Sequence, residues 1–333
     1  MTEEKGDGPT QRLLRRADDF QRSHPPLAFP FAVLKKFSDD RAGQLAALIS
    51  YYGFFSLFPL LLVFTTIVSK VIRNDPELQQ ALLDSALSKF PVVGTEIQKS
   101  IGNLTGSSVT LVVGGVVALW AGTAVVSAAQ TAMDDVWDVP RAERPGLVRR
   151  VTRALILLLV FGGSIAASTF LTGIEMRTGW MSVVWESLFL LLSVAISVGV
   201  FAFAYRMLTV ANVRWKDVLP GAVVAAIAWT ILLLLGSWLV DRHIRQAIAV
   251  YGTTLAWVIG LLAWIALAAQ VFLIGAEINV VRVRRLWPRS LTEPSASPSD
   301  RSVLAAAARE ERGDEEERVD VRFDEPARDG DGR

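Results

Sequence analysis

The chain has 333 residues, of which 52% are hydrophobic and 20% charged, with a formal net charge of +1, no cysteine and two histidines. The missing cysteine excludes disulfides and thiolate metal sites. Two distant histidines, His24 and His243, cannot build a His-rich metallohydrolase centre, and the near-zero net charge gives no global affinity for nucleic acid.

The apolar surplus is concentrated in the middle, because residues 1–41 and 282–333 are strongly polar. Charge-free runs extend from Ala42 to Ser69, Ile101 to Met133, Ala154 to Ile174, Ser187 to Tyr205, Val218 to Val240 and Val250 to Ala276. A bilayer core of about 30 Å takes roughly 20 apolar helical residues to cross. Backbone polar groups in lipid must be satisfied within the chain, so such runs are helices. The expected fold is therefore all-α: a polytopic membrane protein with six transmembrane helices, at about 42–69, 108–133, 153–174, 183–206, 217–240 and 253–280.

Three units are expected: a disordered tail over 1–28, a membrane domain over 29–287 and a disordered charged tail over 288–333. The first forty residues carry no apolar run followed by a small-residue cleavage site, so the first span is expected to serve as the insertion signal. Between Phe29 and Arg41, Phe29, Val33, Leu34 and Phe37 recur at near-helical spacing, with Lys35, Lys36 and Arg41 on a basic side. This predicts a short helix on the membrane surface or a soluble lead-in to the first span.

Asp75-Pro76-Glu77 reads as a helix start, with an N-cap acid and proline at the first helical position. Leu78, Leu82, Leu83, Leu87 and Phe90 share a face until Pro91, and Val93, Ile97, Ile101 and Leu104 continue a second stripe. Two short amphipathic extracytoplasmic helices are thus expected between the first two spans. The C-terminal tail holds 13 acidic and 8 basic residues over 289–333, a composition that disfavours order beyond a helical turn around Ala305.

Fifteen lysines and arginines flank the spans on the side that carries the termini, against seven on the other. The positive-inside rule then puts both termini in the cytoplasm, as an even number of spans requires. The expected location is therefore a membrane crossed with both termini on its cytoplasmic side.

Small residues give helices in lipid a close-packing surface. They cluster at Gly114, Gly115, Ala118, Ala121 and Gly122, at Gly162, Gly163, Ala166 and Ala167, and at Gly221, Ala222, Ala225 and Ala226. In the first span Pro59 removes a mid-helix hydrogen bond, and Tyr51, Tyr52 and Ser56 bring hydroxyls within about two turns of it. A broken helix lining a polar cavity is one way transporters form a site; a kinked packing helix with interfacial tyrosines is the competing reading. Ionisable residues at membrane depth are functional candidates because their burial is costly. Asp134 and Asp135 close the second span, Glu186 opens the fourth, Asp241 closes the fifth, and Glu277 with Asn279 closes the sixth, with Gln130 and Gln270 deeper. Gly275 and Ala276 admit a neighbouring helix, so Glu277 is expected to be buried against a cation such as Arg206 or Arg282, as part of a site or as a structural salt bridge. The candidate cavity or substrate path therefore comprises Tyr51, Tyr52, Ser56, Pro59, Gln130, Asp134, Gln270, Glu277 and Asn279. No catalytic residue, metal site or cofactor is expected, since no nucleophile motif, ligand cluster or phosphate loop stands in a supporting context.

Leu45-Ala46-Ala47-Leu48-Ile49-Ser50-Tyr51-Tyr52 followed by Phe55-Ser56-Leu57-Phe58-Pro59-Leu60 resembles the first-span signature of the YihY/BrkB family of bacterial inner-membrane proteins. Ala132-Met133-Asp134-Asp135-Val136-Trp137, Pro220-Gly221-Ala222, and Tyr251-Gly252 with Trp264 and Leu273 to Asn279 match further family motifs in the same order, over about residues 30–285. Asp134 stands where the family usually has Asn, and Leu208-Thr209 lacks a proline often found there. The resemblance implies a six-helix membrane fold of unsettled activity. Some members carry the label ribonuclease BN, and others are associated with serum resistance or envelope lipid handling.

The residues and the resemblance together point to a transporter or permease for a small solute or an envelope lipid-like molecule, and not to an enzyme. The alternative is a non-transporting scaffold that recruits a partner through its charged C-terminal tail, and a ribonuclease ranks last. The lipid bilayer is the expected partner, nucleic acid is not, and the small-residue faces also permit a homo-oligomer.

Overall fold

A computed structural model of the chain describes residues 18, 24–71, 108–172, 181–211, 213–239, 253–290, 297–312, 314 and 317–323. The regular structure among these residues is helical, with no strand. The helices are α1 (Pro25–Asp39), α2 (Ala42–Val71), α3 (Ser108–Val136), α4 (Leu147–Thr172), α5 (Met181–Leu208), α6 (Trp215–Leu239), α7 (Thr253–Arg284) and α8 (Pro298–Glu310), with a single 3₁₀ turn at Arg141–Glu143. The two amphipathic helices expected between Asp75 and Leu104 lie outside the described residues, as do Asp241 and the start of the N-terminal tail.

Among the described residues, four stretches are long and apolar enough to cross a membrane: Gly115–Val136, Leu191–Leu208, Trp215–Gly236 and Val258–Arg284. Helices α2 and α4 are 30 and 26 residues long, or about 45 and 39 Å at 1.5 Å per residue.

The packing pattern is that of helices meeting in lipid. Alanines 32, 42, 46, 128, 132, 202, 222, 225, 269 and 276 are buried in one core with Met133, Tyr205, Leu273 and Val280. Large apolar side chains face outward instead: Trp120 is 74% exposed, Leu159 76% and Leu234 72%. In water this arrangement would expose the hydrophobic surface that drives folding. In lipid it is favourable, because small residues let helices approach while large aliphatic ones meet the acyl chains.

Helix α7 is the axis of the fold, packed against α1, α2, α3 and α6, while α5 packs against α6. Its closest crossing is with α6. A Cβ on Gly221 would lie 1.9 Å from the Gly275 carbonyl oxygen, and one on Gly275 would lie 2.2 Å from the Tyr205 hydroxyl oxygen. The Tyr205 hydroxyl donates to the Phe272 carbonyl at 2.8 Å, and the Gly221 N–H donates to Asn279 Oδ1 at 2.7 Å. Three helices are thus joined by backbone groups that lipid could not satisfy. Not every small residue serves this purpose: a Cβ on Gly115 or Gly163 would meet nothing within 4 Å.

Two boundaries differ from the sequence reading. Helix α1 begins at Pro25, inside the stretch expected to be tail, because Pro25 and Pro26 occupy first-turn positions that need no N–H donor. The C-terminal stretch expected to be disordered contains α8, 13 residues long. Composition misses it because its order comes from a capping box and from ion pairs to distant residues. Ser297 accepts from the Asp300 N–H, while the Asp300 carboxylate accepts from the Ser297 N–H. Asp300 also accepts from Lys35 at 3.0 Å, Arg289 Nε at 2.8 Å and the Ser290 N–H at 3.0 Å. Burial opposes ionisation of Asp300, but these donors, led by Ser297, hold its carboxyl well below the usual range.

At its other end α8 meets the turn between α3 and α4. Glu310 pairs with Arg144 at 2.7 Å, Arg312 pairs with Glu143 at 2.5 Å, and the Ala142 N–H donates to the Arg312 carbonyl. Burial, then the neighbouring Asp135, pushes Glu310 up to about 7 despite Arg144. With a folded value above the ordinary 4.5, the docked helix holds a proton that a released one gives up. That contribution is complete below about 4.5 and is lost as pH rises through about 7. Amide exchange over 298–310, corrected for the intrinsic rate, is therefore expected to quicken between pH about 6 and about 8, and Glu310→Gln to flatten the trend.

Candidate functional site

The helix ends gather a buried cluster of charges around the C-terminal part of α7. The positions 28, 32, 36 and 40 form one ridge along α1 and its exit, four residues apart. Ala28 and Ala32 are buried on it, and the ridge continues through Lys36, which is 0% exposed. Lys36 Nζ bonds the Asp40 carboxylate, reaches Asp138 at 3.2 Å and donates to the Val136 carbonyl at 3.3 Å. The last contact caps the negative end of α3 with a cation.

Asp138 is delivered by the way α3 stops. Its φ of 47° turns the chain in the left-handed region, which aspartate tolerates. The Asp138 and Val139 N–H groups bond back to the Asp135 and Asp134 carbonyls at 2.9 and 2.8 Å. From there the Asp138 carboxylate meets Lys36 on one side and Arg284 of α7 on the other, the latter at 2.5 Å. Arg284 also bonds the Trp137 carbonyl.

Glu277 completes the cluster one face inward on α7. It is 0% exposed, and among the described residues no N–H or hydroxyl donates to either carboxylate oxygen. Its electrostatic neighbours are Asp40, Lys36 and Asp138. Burial pulls the Lys36 ammonium down, but Glu277, Asp40 and Asp138 together outweigh it and raise it above its ordinary value. Burial pushes Asp40 up to about 6, against the pull of Lys36.

The other predicted residues do not converge on this point. Arg206 and Arg282, the cations expected beside Glu277, are engaged elsewhere: Arg206 stacks 4.9 Å over the Trp215 ring, and Arg282 reaches the Lys216 carbonyl. Gln130 and Asp134 are fully buried on α3, where Gln130 Nε2 donates to the Arg150 carbonyl at 3.3 Å and Asp134 lies 3.9 Å from the Arg150 guanidinium. Asn279 ties α7 to α6 through Gly221, and Gln270 lies half-buried about two turns before Glu277.

The first-span hydroxyls do not gather around Pro59. Helix α2 runs through Pro59 from Ala42 to Val71, and the buried Ser56 hydroxyl bonds back to the Gly53 carbonyl at 2.8 Å. Tyr51 and Tyr52 are 54% and 37% exposed and pack edge to face on each other, so they stand on the outside of the bundle.

Sequence reasoning missed Lys36, Asp40, Asp138 and Arg284. The four-residue ridge from Ala28 was the available signal. Lys36 follows the small residues of that ridge and precedes an acid by four positions, whereas the sequence pattern alone places it on the basic side of the helix.

A helical bundle with small residues inside, large apolar ones outside and, among the described residues, four stretches long and apolar enough to cross a membrane defines a multi-pass membrane protein. The family model described as Virulence factor BrkB matches residues 33–300, and the chain belongs to that family. Among curated proteins, the chain is 25% identical over 256 residues to the "Putative ribonuclease-like protein YfkH" of Bacillus subtilis (strain 168), covering 72% of this chain and 90% of the relative. It is 28% identical over 289 residues to a UPF0761 membrane protein of Alkalilimnicola ehrlichii, covering 84% of this chain and 63% of that longer relative. It is 23% identical over 300 residues to the inner membrane protein YhjD of Escherichia coli (strain K12), covering 82% and 87% of the two. No solved structure matches.

Proposed function

We propose that this protein is a transporter or permease of the bacterial inner membrane, with six spans and both termini in the cytoplasm. Its cargo is a small solute or an envelope lipid-like molecule. The observation that carries the reading is Glu277: a wholly buried carboxylate with no fixed donor, at the end of the helix on which the bundle is built. A buried ion without a full set of partners is costly for a purely structural role. At membrane depth, such groups mark the paths of ions and substrates. Membership in a family whose relatives include an inner membrane protein supports the location. No enzymatic activity is proposed.

The test is native mass spectrometry of the full chain released from gentle detergent, comparing wild type with Glu277→Gln. A stoichiometric bound solute or lipid in wild type, lost in the variant, is the expected result. The same bound mass in both would remove Glu277 from the path.

The scaffold reading draws on the acidic residues after Arg312. Deleting the whole of 289–333 would not discriminate, because it also takes Asp300 away from Lys35. A chain ending after Arg312 keeps α8. It should retain full activity as a transporter and lose it as a scaffold.

A further inference from the structure

Among the described residues, the charge cluster around Glu277 contains two cations, Lys36 and Arg284, and three carboxylates, Asp40, Asp138 and Glu277. Lys36 and Glu277 are fully buried, and the Asp40 and Asp138 side chains are at most 9% exposed. Water therefore does little to screen the uncompensated negative charge, and burying it unpaired would be costly. The adjoining group has cations of its own: Lys35 and Arg289 face Asp39 and Asp300.

The position of the excess charge is also specific. Among the described residues Glu277 has no N–H or hydroxyl donor, and Asp40 stands beside its carboxylate together with Lys36 and Asp138. Two carboxylates can hydrogen-bond to each other only when one of them is protonated. Charge count and geometry thus select the same place.

We propose that Glu277 and Asp40 share one exchangeable proton, and that this proton is the coupling ion of the transport cycle. The first half stands alone; the second rests on the transporter reading above. Glu277 belongs to α7 and Asp40 to the link between α1 and α2. Lys36 faces them from α1 and Asp138 from the end of α3, where Asp138 is in turn paired with Arg284 of α7. The proton therefore neutralises a site at which the lead-in helix is held against the bundle. Its release leaves a buried net negative charge that favours separation of α1 from α7. When the proton leaves, it passes to water, and the pair keeps the electron pair of the broken O–H bond.

Infrared difference spectra of the purified full chain in detergent, taken across pH about 5 to about 9, test the proton directly. The difference between wild type and Glu277→Gln should contain the carbonyl stretch of one protonated carboxyl that shifts in heavy water. Asp40→Asn balances two cations with two carboxylates, so the proton should leave and the band should vanish at neutral pH. Lys36→Met leaves three carboxylates with one cation, so the band should about double. A wild type without the band at any pH would overturn the proposal, as would a band unchanged in Glu277→Gln or in Asp40→Asn. None of these readouts needs a substrate. A band without any transport would leave the proton site standing and remove the transporter reading. Transport without the band would do the reverse.

Discussion

Replacing Gly221 by alanine is expected to destabilise the folded protein by about 3 kcal/mol or more while leaving insertion into the membrane intact. The new Cβ would stand 1.9 Å from the Gly275 carbonyl oxygen and 2.6 Å from both terminal atoms of Asn279. A side chain can rotate away from such a clash, but a backbone carbonyl in the middle of a helix cannot. The two helices must therefore separate. Separation also breaks the Gly221–Asn279 hydrogen bond and loosens the Tyr205 bond to Phe272. In lipid those groups find no water to replace their partners. Gly275→Ala should behave alike, since its Cβ meets the Tyr205 hydroxyl oxygen and Ala225 at 2.2 and 2.9 Å. Gly163→Ala is the control: it has open space around it, so it should be neutral or slightly stabilising through helix propensity. Unfolding titrations in mixed micelles measure all three. A Gly221→Ala protein as stable as wild type would mean that α6 and α7 do not cross backbone to backbone.

Lys36→Met is expected to cost about 3–5 kcal/mol, the range for removing one partner from a buried charged group. Lys36 is the cation that Asp40 and Asp138 share and the nearest positive neighbour of Glu277. Without it those carboxylates face one another across a dry site. Adding Glu277→Gln to Lys36→Met removes one of the carboxyls that must otherwise be held protonated there and should recover about 1–3 kcal/mol. Lys36→Arg should not substitute, because a planar guanidinium cannot occupy a point-charge position between three carboxylates and a helix end. The double-mutant cycle is read from the same unfolding titrations. Strictly additive losses would show that Lys36 and Glu277 do not interact.

These two predictions fall on regions that the sequence exposed to different degrees. The α6–α7 crossing was legible: Pro220-Gly221-Ala222 and Gly275-Ala276 are small residues on apolar helices, and Asn279 follows one turn later. The same rule overreached at Gly115 and Gly163, because a small residue permits close approach without specifying a neighbour. Glu277 was identifiable as an acid in an apolar run, yet its partners were not. Lys36 is 241 positions away, and nothing local pairs the two. Asp138 depends on a left-handed turn that the Asp-Val-Trp-Asp string does not announce. The tyrosines misled for a simple reason. Periodicity gives the face of a helix only relative to its own neighbours, and Tyr51 and Tyr52 lie on the side of α2 turned away from the bundle. Helix α8 was hidden because composition counts charges without seeing which of them are paired with residues far away in the chain.

The claim that joins these observations is that cargo moves through the bundle past the Lys36–Glu277 cluster. Charge displacement in proteoliposomes adsorbed on a solid-supported membrane tests it most directly, with fractionated cytoplasmic solutes and envelope lipids as the challenge. The account predicts a transient current with at least one fraction in wild type, abolished in Glu277→Gln at equal reconstitution. A current of the same size and pH dependence in Glu277→Gln would contradict it.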